Sequence, residues 1–291
     1  MILNYITKIR ANLAIHTNIK ATSILDGSYK SVFMGKSLNF EDLREYIPGD
    51  NIRDIDWKAS SRSRMLLVKR YIAEKKHNIL ILFDSGVKMN AETDTGEIKK
   101  DVAVYTAGTL SYLAYSNGDF VGSMYNIDGK MRFFPLRTRL YDIEHFLSQY
   151  DKDVKDSHTS DLNKTLEYLL KNFQRKMVVF VISDMKGIAE VSDTVLKKLI
   201  CQHDILFINI NDAVLADEQT FKVEKNRYLP RFVTTDKKLA TMERNLRQKT
   251  LNDNEHMLKR HAILSTDISG KEEIAKKITD LLERHRYANI R

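Results

Sequence analysis

Two apolar runs in this chain stop at an aspartate. "NILILFD" ends at Asp84 and "KMVVFVISD" ends at Asp184. A carboxylate at the end of such a run can hold a hard cation, move a proton or attack as a nucleophile. Hydroxyls that could join it lie in "DSHTSDLNKTL", at Thr159 and Ser160, while Ser85, Gly86 and Lys88 follow Asp84 directly. Asp84, Thr159 or Ser160, and Asp184 form an all-oxygen set of the kind that suits Mg²⁺.

Several chemistries are excluded by what surrounds these residues. There is no G-x-x-x-x-G-K-[ST] and no G-x-G-x-x-G, and Ser85 is not inside G-x-S-x-G. The histidines make no H-E-x-x-H, and none stands at zinc spacing from Cys201. A haloacid-dehalogenase-type phosphoryl transfer needs a second acid two residues after the first, where this chain has Gly86. The loop after Asp84 resembles the metal-dependent adhesion site of von Willebrand factor A domains, whose pattern is D-x-S-x-S. Here it has become Asp84-Ser85-Gly86-Val87-Lys88. Gly86 has no hydroxyl, and a charged Lys88 has donors only. A divalent ion ~5 Å from that ammonium, at an effective dielectric of ~20, would be repelled by roughly 6 kcal/mol. We therefore expect a degenerate site with no bound cofactor, weak Mg²⁺ binding at most, and Lys88 neutralising Asp84 or Asp184.

These residues need a scaffold, and the rest of the chain supplies one. At 291 residues, with 43% hydrophobic and 30% charged residues, it is long enough for one large domain with an appendage. After residue 76, buried strands alternate with amphipathic helices. Strand signals at 78–84, 176–184, 204–212 and 262–268 are separated by helical periodicity at 97–116, 141–149, 161–173 and 193–202, with a charged helix or broken helix at 237–260. Asp128-Gly129-Lys130 reads as a hairpin turn, and a last helix opens with Ser269 and Glu272 at capping-box spacing. The pattern predicts an α/β fold with a mostly parallel sheet and helices on both faces. The working crevice of such sheets lies beyond the carboxyl ends of the strands, where Asp84 and Asp184 would meet.

Residues 1–76 read as an N-terminal α+β extension and 77–291 as the main domain. In the extension, helices are expected at 2–14 and at 39–47 (capped by Asn39), with a strand over "MLLVKRYIAE" that would pair antiparallel with the first buried strand. This third carries 14 Lys and Arg against 8 Asp and Glu, a net +6, whereas the remainder is +2. Such a basic face could meet nucleic acid, anionic lipid or an acidic protein. Cys201 is the single cysteine and reads as a buried, inert thiol. No run reaches the ~18 apolar residues of a membrane span. Lys8 and Arg10 interrupt the apolar start as no signal peptide would, so a cytoplasmic protein is expected.

The most specific stretch is "LREYIPGDNIRDIDWKASSRSRMLLVKRY" (43–71). Arg44, Tyr46, Pro48, Gly49, Asp50, Arg53, Ile55, Asp56 and Trp57 resemble the R-x-Y-x-P-G-D-x-x-R-x-I-D-W signature of the bacterial domain-of-unknown-function family fifty-eight, and the likeness runs from about 26 to 286. That resemblance implies a von Willebrand A-like domain, a protein-interaction or adaptor role and no enzymatic activity, with a MoxR-type AAA+ ATPase as partner. Pro48-Gly49 fits a type II turn, Asp50, Arg53 and Asp56 could form an ion-pair cluster, and Trp57 is expected against the sheet edge. Arg62, Arg64, Lys69 and Arg70 are the candidate basic contact surface, on the solvated face of a strand. Two other classes stay open on the residues alone. One is a nucleic-acid-binding protein using the basic face, for which charge is the sole support. The other is a metal-dependent hydrolase at Asp84 and Asp184.

Overall fold

The computed structural model describes residues 4–16, 25–29, 40–71, 76–154, 159–213, 221–222, 227–228 and 237–288. The main sheet has six strands: β3 (Asn78–Phe83), β4 (Phe120–Ile127), β5 (Lys130–Arg137), β6 (Val178–Ser183), β7 (Asp204–Ile210) and β10 (Leu264–Ile268). Their order is β10-β7-β6-β3-β4-β5. All neighbours are parallel except the β4–β5 hairpin. The chain first winds outward from β3 to one edge, then returns to β6 and winds to the other. The order therefore reverses between β3 and β6, the place where open α/β sheets usually carry their sites.

Helices cover both faces, which is why the central strands are apolar at every position. Ile79, Ile81 and Phe83 of β3 join one buried cluster, and Leu80 and Leu82 join the other. The first cluster is completed by α1 (Asn4–His16), α3 (Lys99–Ser116), α4 (Leu140–Asp153) and α9 (Ile274–Ala288). The second draws on α5 (Leu162–Asn172), α7 (Asp193–Gln202) and the end of α8 (Lys237–Arg260). Helix α1 is an integral part of the core, with Ile6, Ile9 and Leu13 buried. Gly108 of α3 lets Ile9 approach, since a Cβ there would collide with its side chain. A two-residue pair, β8 (Phe221–Lys222) with β9 (Arg227–Tyr228), lies apart from the main sheet. Among the described residues, no helix is long and apolar enough to cross a membrane.

The signature region departs from expectation. Residues 40–45 form a strand, β1 (Phe40–Glu45), and not a helix; β1 pairs antiparallel with β2 (Leu67–Tyr71). That pairing overrides the helical propensity of "FEDLRE". It also takes β2 away from β3, whose two edges are filled by β4 and β6. Pro48-Gly49 does form the turn: Asp50 N donates to Ile47 O at 3.0 Å and Gly49 has φ +111°. Asp50 grips Arg44 through two bonds of 2.7 and 2.6 Å. Asp56 caps α2 (Trp57–Ser63), accepting from Lys58 N and Ala59 N, and lies 3.6 Å from Lys69. The cluster expected of Asp50, Arg53 and Asp56 is thus split between two other cations.

Trp57 does not pack on the sheet edge; it opens α2 and is 63% exposed. Arg62 lies in α2 and Arg64 follows it in a left-handed conformation, so only Lys69 and Arg70 stand on the strand, and the side chain of Arg70 lies outside the described residues. Cys201 is exposed, near the end of α7, because the apolar stripe of that helix runs through Val195, Leu196 and Leu199. Helix α8 is continuous. At the last helix, Glu273 in place of Glu272 reaches back to the amide of Ser269. Since Trp57 buries little area, Trp57→Ser should change unfolding free energy by no more than about 0.5 kcal/mol in urea titration, as for other exposed sites.

Candidate functional site

Asp84 and Asp184 directly follow β3 and β6, on the two sides of the reversal in strand order. Both are buried. Strand register brings them together: Asp84 N donates to Ile182 O at 2.9 Å, next to the β6 terminus. Val87–Asn90 then form a single 3₁₀ turn, which returns Lys88 over the aspartate it followed. Its ammonium lies 2.8 Å from Asp84 Oδ2, 3.6 Å from Asp184 Oδ1 and 3.9 Å from Glu190. Lys88 therefore bridges the two aspartates, in the geometry expected of an ammonium neutralising them.

The remaining valences of Asp84 are filled by hydroxyls and an amide. Ser160 Oγ donates to Oδ1, Gly86 N donates to the same oxygen at 3.4 Å, and Ser183 Oγ donates to Oδ2 at 2.6 Å. A Cβ at Gly86 would lie 2.8 Å from Ser160 Oγ, so the glycine admits the serine that a larger residue would displace. Ser160, and not Thr159, is the hydroxyl brought to the site. Thr159 is exposed and donates its amide to Asp128 Oδ1 at 3.0 Å, bracing the hairpin turn. Beneath the site, Tyr150 of α4 donates to the carbonyl of Asp84 at 2.7 Å and stacks on Phe83, ring centroids 4.1 Å apart.

A second cation completes the arrangement. Lys99, the first residue of α3, is 1% exposed; its Nζ donates to Asp184 Oδ2 at 2.8 Å and also to Asp212 Oδ1. Asp184 thus lies between two ammoniums and also accepts from Gly187 N at 2.9 Å. Sequence reasoning passed over Lys99, Ser183 and Asp212. One signal did exist for Lys99: two lysines open α3, where the helix dipole disfavours positive charge. Lys100 pairs with Asp151 at 3.1 Å, and Lys99 turns inward.

The electrostatics follow from this chain of alternating charges. Burial alone would lift the Asp184 carboxyl, but Lys99 and then Lys88 outweigh it and hold it at about 2. Burial lowers the affinity of both lysines for a proton, yet their carboxylate partners prevail, so both stay charged. Asp212 is pushed up by burial, only partly offset by Lys99. Its Oδ2 is buried without a hydrogen-bond partner among the described residues. Asp184 is depressed, so its stabilising contribution is present above the ordinary carboxylate range and is lost as the pH falls from about 4 toward 2. Asp212 is raised and acts in the opposite sense, because its protonation relieves a cost. Stability measured in urea at a series of pH values should fall over that acid window, and less steeply in Lys99→Met, which removes the main cause of the Asp184 depression.

The donor set does not fit a divalent cation. The two carboxylates that would ligate it are each occupied by an ammonium, and the position of the first serine in the adhesion-site pattern is a glycine whose space Ser160 needs. No group of three or more His, Cys, Asp or Glu placed to hold a metal occurs among the described residues.

The chain belongs to the family described as "Protein of unknown function DUF58", which matches residues 42–223. That span opens in the signature module and runs past β7, so it includes Asp84, Lys88, Lys99 and Asp184. The fold is α/β, a mostly parallel six-stranded sheet with helices on both faces. The uncharacterized proteins Rv1480 of Mycobacterium tuberculosis (strain ATCC 25618 / H37Rv) and Mb1516 of Mycobacterium bovis are each 23% identical over 196 residues, 66% of this chain; the match spans 61% of the length of these relatives. Among solved structures, the conserved hypothetical protein BatB from Bacteroides thetaiotaomicron is similar at a TM-score of 0.44 with 11% identity, covering 72% of this chain and 99% of that one. A von Willebrand factor type A protein from Catenulispora acidiphila follows at 0.41 and 10%, covering 76% of this chain and 44% of that one.

Proposed function

We propose that this protein is a non-enzymatic adaptor that works in the cytoplasm, partners a MoxR-type AAA+ ATPase and needs no metal ion to do so. The observation that carries the reading is the lysine pair. Where an adhesion-type domain would present a metal with one vertex open to a partner's carboxylate, Lys88 and Lys99 supply two positive charges from within the chain. That leaves the carboxylates at the two strand ends paired within the chain, which suits a scaffold. Membership of the DUF58 family is consistent with such a module.

Affinity purification of the tagged full chain from its native host tests this. A MoxR-type ATPase should co-elute in near-stoichiometric amount, and the ATP turnover of that enzyme, once purified, should change saturably as this protein is added. Absence of any AAA+ ATPase from the eluate, or a turnover indifferent to the protein, would overturn the reading.

A further inference from the structure

Between residues 47 and 66 the signature module turns five large apolar side chains to solvent: Ile47, Ile52, Trp57, Met65 and Leu66, each 47–64% exposed. Backbone bonds gather them. Tyr46 N donates to Leu66 O and Asp56 N to Leu67 O, both at 2.8 Å, and Ile55 N donates to Ile52 O at 3.3 Å, so each of the five is in or next to a residue of these links. Isolated exposed apolar residues are ordinary, but a gathered set marks a contact surface.

The charge around them is one-sided. From Trp57 to Tyr71 there are five basic residues and no acidic one. Lys58, Arg62 and Arg64 are exposed and form no ion pair with a described residue. Two of the acids nearest this run are already used: Asp50 holds Arg44, and Asp56 caps α2 and faces Lys69, while Asp54 stands outside it.

We infer that this face docks a segment of a partner protein whose apolar side chains are flanked by Asp and Glu. The inference rests on the reading of the chain as an interaction module and says where and what it binds. Apolar anchors would enter the Ile52–Trp57–Leu66 surface while carboxylates meet Lys58, Arg62 and Arg64, the arrangement of an apolar centre with a charged rim. Nucleic acid fits less well, because four of the five apolar groups are aliphatic and offer no ring for a base to stack on. An anionic membrane would also meet Asp42, Glu45 and Asp54, and residues 40–71 as a whole are almost neutral, with seven Lys and Arg against six Asp and Glu.

The test is site-specific photocrosslinking in the native host, with the photoreactive residue p-benzoylphenylalanine at position 52 and, as a control on another exposed site, at position 287. Sequencing of the adduct should show an apolar segment flanked by acidic residues, captured from position 52 and not from 287. Adding Arg62→Glu and Arg64→Glu, two exposed changes that should not disturb folding, should cut the yield at least fivefold. No adduct at 52, equal yield at 287, or an adduct to DNA, lipid, a basic segment or a second copy of this chain would overturn the inference. The outcome also separates this inference from the adaptor proposal. An ATPase that co-purifies but crosslinks elsewhere keeps the adaptor and removes this surface. An acidic segment from some other protein keeps the surface and removes the ATPase.

Discussion

Replacing Lys99 by Met should lower unfolding free energy by about 3–5 kcal/mol, the range for breaking a buried ion pair by removing one partner. Methionine nearly matches the lysine stem in volume, so the loss reports charge more than packing. Two carboxylates, Asp184 and Asp212, would then face each other with one ammonium fewer. Against a typical total of about 5–15 kcal/mol, that is about a fifth or more of the stability of an ordinary domain. Urea titration should show the midpoint moving with the slope unchanged. The double variant Lys99→Met/Asp212→Asn should regain part of the loss, because the residues share one network and their effects are not additive. A single-variant loss below about 1 kcal/mol would show that the carboxylates are relieved by some other route, given what burial and pairing ordinarily cost.

The second large effect is expected at Gly187, where two general rules oppose each other. In an exposed helix interior, Gly→Ala stabilises by roughly 1 kcal/mol. Gly187 stands inside α6 (Met185–Ala189), directly over the charge network. A Cβ there would collide with Asp84 Oδ2 and Ser183 Oγ and lie 2.8 Å from Lys88 Nζ. Overpacking costs typically about 1–3 kcal/mol, and here the displaced atoms are the partners of a buried carboxylate. We therefore expect Gly187→Ala to destabilise by at least about 1 kcal/mol, reversing the usual sign. Chemical denaturation reads this directly, and a stabilised variant would mean that Lys88 and Ser183 can move aside at little cost.

The sheet was legible in the sequence because strands covered on both faces must be apolar throughout, and the runs at 78–84, 176–184 and 204–212 are just that. The ends of the first two runs also located Asp84 and Asp184, and the departure of Lys88 from a ligand pattern pointed to its salt bridge. The signature module was harder to read. "FEDLRE" has no strong alternation, and its strand state comes from a partner more than twenty positions away. Trp57 was placed inside because a lone tryptophan usually packs, yet here Asp56 uses the position before it as a helix cap. Lys99 was missed because a lysine in a helical pattern looks like a solvated residue until the fold brings Asp184 and Asp212 against it. Cys201 misled in the opposite way: one turn beyond Lys197, it falls just off the apolar stripe.

Whether Lys88 and Lys99 stand in for a cation can be read by isothermal titration of the protein with MgCl₂. No saturable heat is expected in the submillimolar range, and none for Lys88→Ser alone, since Lys99 still holds Asp184. Saturable submillimolar binding of Mg²⁺ by the unmodified protein would contradict it, and would mean that the ammoniums of Lys88 and Lys99 leave the carboxylates when a metal arrives.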